Sequence, residues 1–288
     1  MIEIEGIHKR VKGPSDLGVD GPPILRDLFL QVQKGQVVLV TGSTGSGKSL
    51  LLSLLHGTAK SDSGSVKLLG HPVKRLQRGS LPLMRRVVGY VPQEIRLLEN
   101  RTLLANVELG PKACGLNRSD VRLRAKSALE SMGLTDLAKI TAKRATTGQR
   151  RRTMLARAFA SKPPILLADE PTEGLDDDHC TVLMNAISEM AREGGAALIV
   201  TRDPRLLERG WSRGWRCSEL VDGAIAEHSM NDLFKREIKK VGKSSIRRKL
   251  RKKAAAIPPT PPDAKPSSTN VLHEPFVDES LKQEGWIV

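Results

Sequence analysis

The stretch GQVVLVTGSTGSGKSLLLSLLHG, residues 35–57, decides how the rest of the chain reads. Its first part is a β-branched apolar run without polar alternation, the pattern of a strand buried in a parallel sheet. The leucine-rich second part reads as a helix. Between them, Gly42, Ser43, Thr44, Gly45, Ser46, Gly47, Lys48 and Ser49 fit the phosphate-loop pattern GxxxxGK[ST]. Its glycines let the backbone curl so that N–H groups point at phosphate oxygens, and the helix that follows adds its positive dipole end. Lys48 supplies a point charge to the outer phosphates, and the Ser49 hydroxyl can hold Mg²⁺. A flexible glycine turn is the bland alternative, but the pattern arises by chance in about one chain in a hundred of this length. Here it also has a strand before it and a helix after it.

Further on, ILLADEP (residues 165–171) is an apolar run ending in two carboxylates. A strand leaving the core delivers Asp169 and Glu170 at its carboxyl edge, where open α/β sheets bind ligands. Asp169 can orient Mg²⁺ through water, and Glu170 can polarise the water that attacks a γ-phosphate. An acidic strand end by itself is equally a helix cap; paired with a phosphate loop it marks a hydrolytic site.

Residues 2–5 and 28–33 read as short strands, and 117–137, 149–161 and 179–193 as helices. GAALIVTRD is a third buried strand. Strands alternating with helices predict a mostly parallel sheet flanked by helices.

The net charge of +15 is concentrated: Lys235–Lys253 holds eleven Lys or Arg and one Glu, leaving +5 for the rest. Such a block is an electrostatic address for phosphates on lipid or nucleic acid. Nucleic acid as the main partner is disfavoured, because aromatic residues are only 3% of the chain and no aromatic-studded basic groove is legible. No run approaches the length of a membrane span, and the N-terminus MIEIEGIHKR lacks an apolar targeting segment, so a soluble cytoplasmic protein is expected. Cys114, Cys180 and Cys217 are far apart and read as ordinary buried positions.

On these residues the chain resembles the ATP-binding subunits of ABC transporters, over roughly residues 1–227. The resemblance implies that Gln93 in YVPQE bridges Mg²⁺ and a membrane partner, and that Asp176 in EGLD is the D-loop aspartate. VPQEIRLLENRTLLANVELG is most similar to the cell-division branch of the family. PPILLADEPTEGLD agrees, although lipoprotein-release and macrolide-export ATPases share much of it.

Three positions depart from the family pattern. The signature that closes over the other subunit's γ-phosphate falls, counting back from LARAF, on Ala145, Thr146, Thr147, Gly148 and Gln149. Thr146 keeps a hydroxyl and Gly148 a glycine, but Thr147 puts a β-branched side chain where backbone should approach phosphate. Arg150, Arg151 and Arg152 follow, near a helix start whose dipole they oppose. They read either as extra phosphate attraction or as an outward, solvated face. Arg202 in IVTRDP stands at the γ-phosphate-sensing histidine, permanently charged and unable to titrate. Val11 stands at the adenine-stacking aromatic, which predicts weaker binding of the base.

The expected molecule is an α/β P-loop NTPase with a mostly parallel sheet, a small antiparallel β lobe and a helical subdomain. Residues 1–227 would form the ATP-binding domain, with the subdomain at 95–160; 228–254 would be a basic helical segment and 255–288 a proline-rich, disordered tail. ATP and Mg²⁺ are the implied cofactors. The implied partners are a second ATPase subunit, identical or homologous, an integral membrane permease and, for the basic tail, anionic lipid. That places the chain on the cytoplasmic face of the membrane. Two readings follow: a subunit that hydrolyses ATP slowly, or a scaffold that closes on ATP and scarcely hydrolyses it.

Overall fold

The apolar run before the phosphate loop becomes a central strand of a six-stranded sheet in the computed structural model, which describes residues 1–10, 21–73, 84 and 86–227. In chain order the strands are Ile2–Arg10 (β1), Pro23–Val32 (β2), Val37–Thr41 (β3), Ser63–Leu68 (β4), His71–Pro72 (β5), Val88–Val91 (β6), Ile165–Asp169 (β7), Ala196–Val200 (β8), Arg216–Val221 (β9) and Ala224–Glu227 (β10). The helices are Lys48–Leu55 (α1), Leu103–Val107 (α2), Leu109–Ala113 (α3), Arg118–Ser131 (α4), Thr147–Ala160 (α5), Asp177–Arg192 (α6) and Pro204–Ser212 (α7).

The larger sheet has the order β10-β9-β3-β8-β7-β6, parallel throughout except for β10, which turns back on β9. Every residue of β7 and β8 is buried, as expected of strands covered on both faces. The second sheet, β2-β1-β4-β5, is antiparallel. The α/β class, the parallel sheet and the antiparallel lobe are as expected.

Leu51, Leu52 and Leu55 of α1 are wholly buried in one core with Val38, Val40, Leu167 and Leu198 of the large sheet and Leu25, Leu28 and Val66 of the small one. Each such side chain contributes about 2 kcal/mol by leaving water. The helix that follows the phosphate loop is therefore anchored from both sides, and the loop is fixed at its helical end. Between β6 and β7 the helices α2 to α5 pack on one another, with a small cluster of Cys114, Leu116 and Val121. The three cysteines are buried and not in disulfides, and burial pushes the Cys217 thiol up to about 11, an inert form as expected. No described helix is long and apolar enough to cross a membrane. The basic block, the proline-rich tail and Val11 lie outside the described residues.

Candidate active site

The phosphate loop runs from the end of β3 into α1, and its glycines are where the backbone requires them. Gly42 has φ 150° and a Cβ there would meet the Leu220 carbonyl oxygen at 2.6 Å. Gly47 has φ 99°, and a Cβ there would lie 2.8 Å from Ile24. Lys48 is nearly buried, and its ammonium donates to the carbonyls of Gly42 (2.8 Å) and Ser43 (2.6 Å) and to Ser46 Oγ (3.2 Å). Burial, then the nearby Arg202 charge, lower its pKa, while Glu170 and Asp169 oppose the shift. An incoming anion would relieve both penalties, which is the electrostatics a phosphate site needs.

β7 ends at Asp169, 4% exposed, with the Ser49 hydroxyl near enough to its carboxylate to favour the ionised form. Burial pushes this carboxyl up, and the Ser49 hydroxyl and the Lys48 charge work against that shift. A buried carboxylate beside a hydroxyl at the mouth of a phosphate loop is a hard-oxygen donor set suited to Mg²⁺, so Ser49 and Asp169 fit that ion.

Glu170 carries a feature invisible in the sequence: it is a non-glycine residue at φ 44°. Left-handed backbone at such a residue costs about 1 kcal/mol or more. Its N–H donates to the Val200 carbonyl at 2.8 Å, and its carboxylate accepts from Thr201 Oγ1, Arg202 N–H and Arg202 Nε, each at 3.1 Å. Arg202 also donates through Nη1 to Thr44 Oγ1 at 2.8 Å. The switch-position arginine thus links Glu170 to the phosphate loop.

Thr146 caps α5 in a reciprocal box: Gln149 N–H donates to Thr146 Oγ1 (3.3 Å) and Thr146 N–H to Gln149 Oε1 (2.9 Å). Gln149 is therefore committed within its own chain, while the Thr146 hydroxyl keeps its proton for another acceptor. Gly148 lies against the next segment, where a Cβ would sit 3.1 Å from the Gly174 carbonyl oxygen, and Thr147 is exposed. Asp176 caps α6, accepting from His179 N–H at 2.8 Å and pairing with its ring at 2.6 Å.

The arginine triplet corrects both expectations for it. Arg151 is 3% exposed and donates to the carbonyls of Pro92 (3.2 Å) and Gln93 (2.7 Å) and to Glu173 (3.4 Å). Arg150 pairs with Glu99 at 2.9 Å, and Arg152 donates to the carbonyls of Met132 (2.8 Å) and Gly133 (3.1 Å). All three are internal tethers, so they form neither a solvated face nor a patch awaiting phosphate, and their acceptors offset the unfavourable dipole. Gln93 itself is exposed, beside the loop that Arg151 holds. Tyr90 stacks on His56 with centroids 4.2 Å apart.

Among these side chains, Lys48, Ser49, Asp169, Glu170 and Arg202 meet at the carboxyl edge of the central strands. Gln93 follows the neighbouring strand β6 and is held by Arg151 through its carbonyl, whereas Thr146, Gly148 and Asp176 sit at two other helix starts. Sequence reading missed Glu173 and Thr201, and it singled out Arg151 without its tethering role; the uncompensated run of three arginines near a helix start was the one available signal.

A phosphate loop at the edge of a parallel sheet, followed by a strand-end carboxylate pair, defines a P-loop NTPase. A family profile described as ABC transporter matches residues 25–173, and this chain belongs to that family. It is an ATP-binding, ATP-hydrolysing subunit of the ABC class. The cell division ATP-binding protein FtsE of Escherichia coli K12 is 34% identical over 78% of this chain and 97% of its own length. A macrolide export ATP-binding/permease protein, MacB 1/2 of Paracoccus denitrificans, is also 34% identical, over 78% of this chain but 33% of its own length. The dimeric ATP-binding cassette MJ0796, solved in a post-hydrolysis state with ADP and Pi, superposes with a TM-score of 0.70 at 28% identity, covering 78% of this chain and 96% of that one.

Proposed function

We propose that this chain is an FtsE-like subunit that couples ATP-dependent closure of a dimer to an FtsX-like membrane permease in cell division or a related envelope process. Residues 1–227 act as the ATPase domain, with 95–160 as its helical subdomain. The phosphate-loop N–H groups of 42–49 and Lys48 bind the phosphates; Ser49, Asp169 and Gln93 would hold Mg²⁺. When bound, Mg²⁺ neutralises charge on the phosphate oxygens. Glu170 orients and deprotonates the attacking water, and Arg202 donates to the γ-phosphate region. Thr146 and Gly148 face the partner subunit's nucleotide, with Asp176 at the same seam. The Lys235–Lys253 block lies against anionic lipid on the cytoplasmic face, at about 1 kcal/mol per well-placed cation.

The observation that carries this reading is the convergence of Lys48, Ser49, Asp169 and Glu170 at one sheet edge. Similarity to FtsE along nearly its whole length supports the cell-division branch over the exporter, of which the chain matches a third. Steady-state phosphate release from the full chain tests it: Glu170→Gln should cut the rate about a hundredfold. Equal rates in wild type and variant would rule out catalysis at this site.

One observation bears on the rate. The Glu170 carboxylate is held by three donors, two of them from Arg202, which restrains it from engaging water and slows turnover. Faster single-turnover phosphate release in Arg202→His than in the wild type would support that restraint, and an unchanged rate would remove it.

A further inference from the structure

Arg151 is the most deeply buried cation of its helix, and its guanidinium is only partly satisfied: Nε–H has no acceptor among the described residues, and its one carboxylate partner, Glu173, is half exposed. Burial lowers its pKa, against the pull of Glu173, Asp169 and Glu170. An apolar side chain of similar volume at such a position is often as stable or more so. Stability alone therefore does not account for an arginine there, but connectivity does. Its two η nitrogens reach the carbonyls of Pro92 and Gln93, next to the exposed Gln93 side chain. One of them also reaches Glu173, the neighbour of Gly174, on whose carbonyl Gly148 packs. Three separate segments, the loop after β6, the first turns of α5 and the turn after Glu170, are thus pinned by one planar fork, a geometry lysine cannot reproduce.

We propose that Arg151 is a positioning residue that fixes the Gln93 loop against the start of α5, so that the Mg²⁺-side glutamine and the surface offered to the partner subunit move as one piece. The inference rests on the assignment of Gln93 to Mg²⁺ made above. Equilibrium binding of a slowly hydrolysed ATP analogue to the full chain, as Mg²⁺ is titrated and again in EDTA, tests it without relying on turnover. Arg151→Met should raise the Mg²⁺ needed for half-saturation about tenfold while affinity in EDTA changes less than about twofold. Arg151→Lys should fall between, and Glu173→Gln, at the exposed end of the tether, should shift the requirement in the same direction by about twofold. Gln93→Ala should match Arg151→Met, and the double variant should be no worse than either. An unchanged Mg²⁺ requirement, an equal loss with and without Mg²⁺, or full additivity with Gln93→Ala would overturn the tether. If Gln93→Ala shifts nothing while Lys48→Ala abolishes binding, the tether falls and the ATP site stands. Wild-type binding by Lys48→Ala would overturn the site itself.

Discussion

At the carboxyl edge of the central sheet, the phosphate-handling groups are set by backbone: glycine conformations, a strand end and a left-handed turn at Glu170 place them. At the start of α5 the arrangement is held by side chains instead, through the Thr146–Gln149 box and the three arginine tethers. Backbone geometry follows from motif letters because few residues other than glycine tolerate those dihedrals. Side-chain tethers depend on what lies opposite in space. Substitutions at the first region should therefore alter chemistry and binding, and substitutions at the second should alter alignment and stability.

The largest expected effect breaks the first region. Lys48→Ala should weaken ATP binding about a hundredfold, because truncating one partner of a buried charge-assisted contact leaves the other uncompensated; calorimetry reads this directly. Arg150→Ala, by contrast, should leave affinity nearly unchanged, since its charge is spent on Glu99. Retained affinity in Lys48→Ala would erase the contrast between the regions.

Next in size is the seam between subunits. Thr147→Gly combined with Arg202→His should raise turnover about tenfold by opening backbone approach and releasing Glu170 from its clamp. No gain in single-turnover rate would move the limiting step away from both positions.

Smaller effects sharpen the comparison. Thr146→Ala removes the cap of α5 and should cost about 1 kcal/mol, lowering Tm by about 3 °C with little change in nucleotide affinity of the monomer. A loss of affinity already present in dilute, monomeric protein would mean that the Thr146 hydroxyl also acts on nucleotide within its own subunit. Asp169→Asn should do the opposite in nucleotide-free protein. Burial raises the Asp169 carboxyl above its usual 3.8, so ionisation penalises the folded state at neutral pH and not below that value. Tm of the variant should exceed wild type by about 1–2 °C at pH 7, the gap closing as pH falls below the carboxylate range. A gap that persists at low pH would assign the gain to packing instead of charge.

Much of the first region was legible in advance. The run at 37–41, the glycines of 42–49 and the acidic end of 165–170 each carry a local physical signature, and each folded as that signature required. The strain at Glu170 was not legible, because nothing in ILLADEP distinguishes a left-handed glutamate from an extended one; the partners of its N–H and carboxylate come from the end of β8 and the residue after it, about thirty positions away in Val200 and Thr201. Arg202 was legible as a substitution at the switch position, but its bridge from Glu170 to Thr44 required the end of β8 to lie between those of β7 and β3.

By itself the sequence determined the class of fold, the phosphate loop and the carboxylate pair. Periodicity and glycine content are local, and local rules suffice for these. Tertiary structure alone decided the fate of the arginine triplet. A charge run in a sequence can face solvent, a ligand or the rest of the chain, and only the positions of Pro92, Gln93, Glu99, Met132 and Glu173 around α5 select the last, with Arg151 buried and its two neighbours half-buried. The energy of a buried cation depends on which acceptors surround it, and those acceptors are neighbours in space, not along the chain.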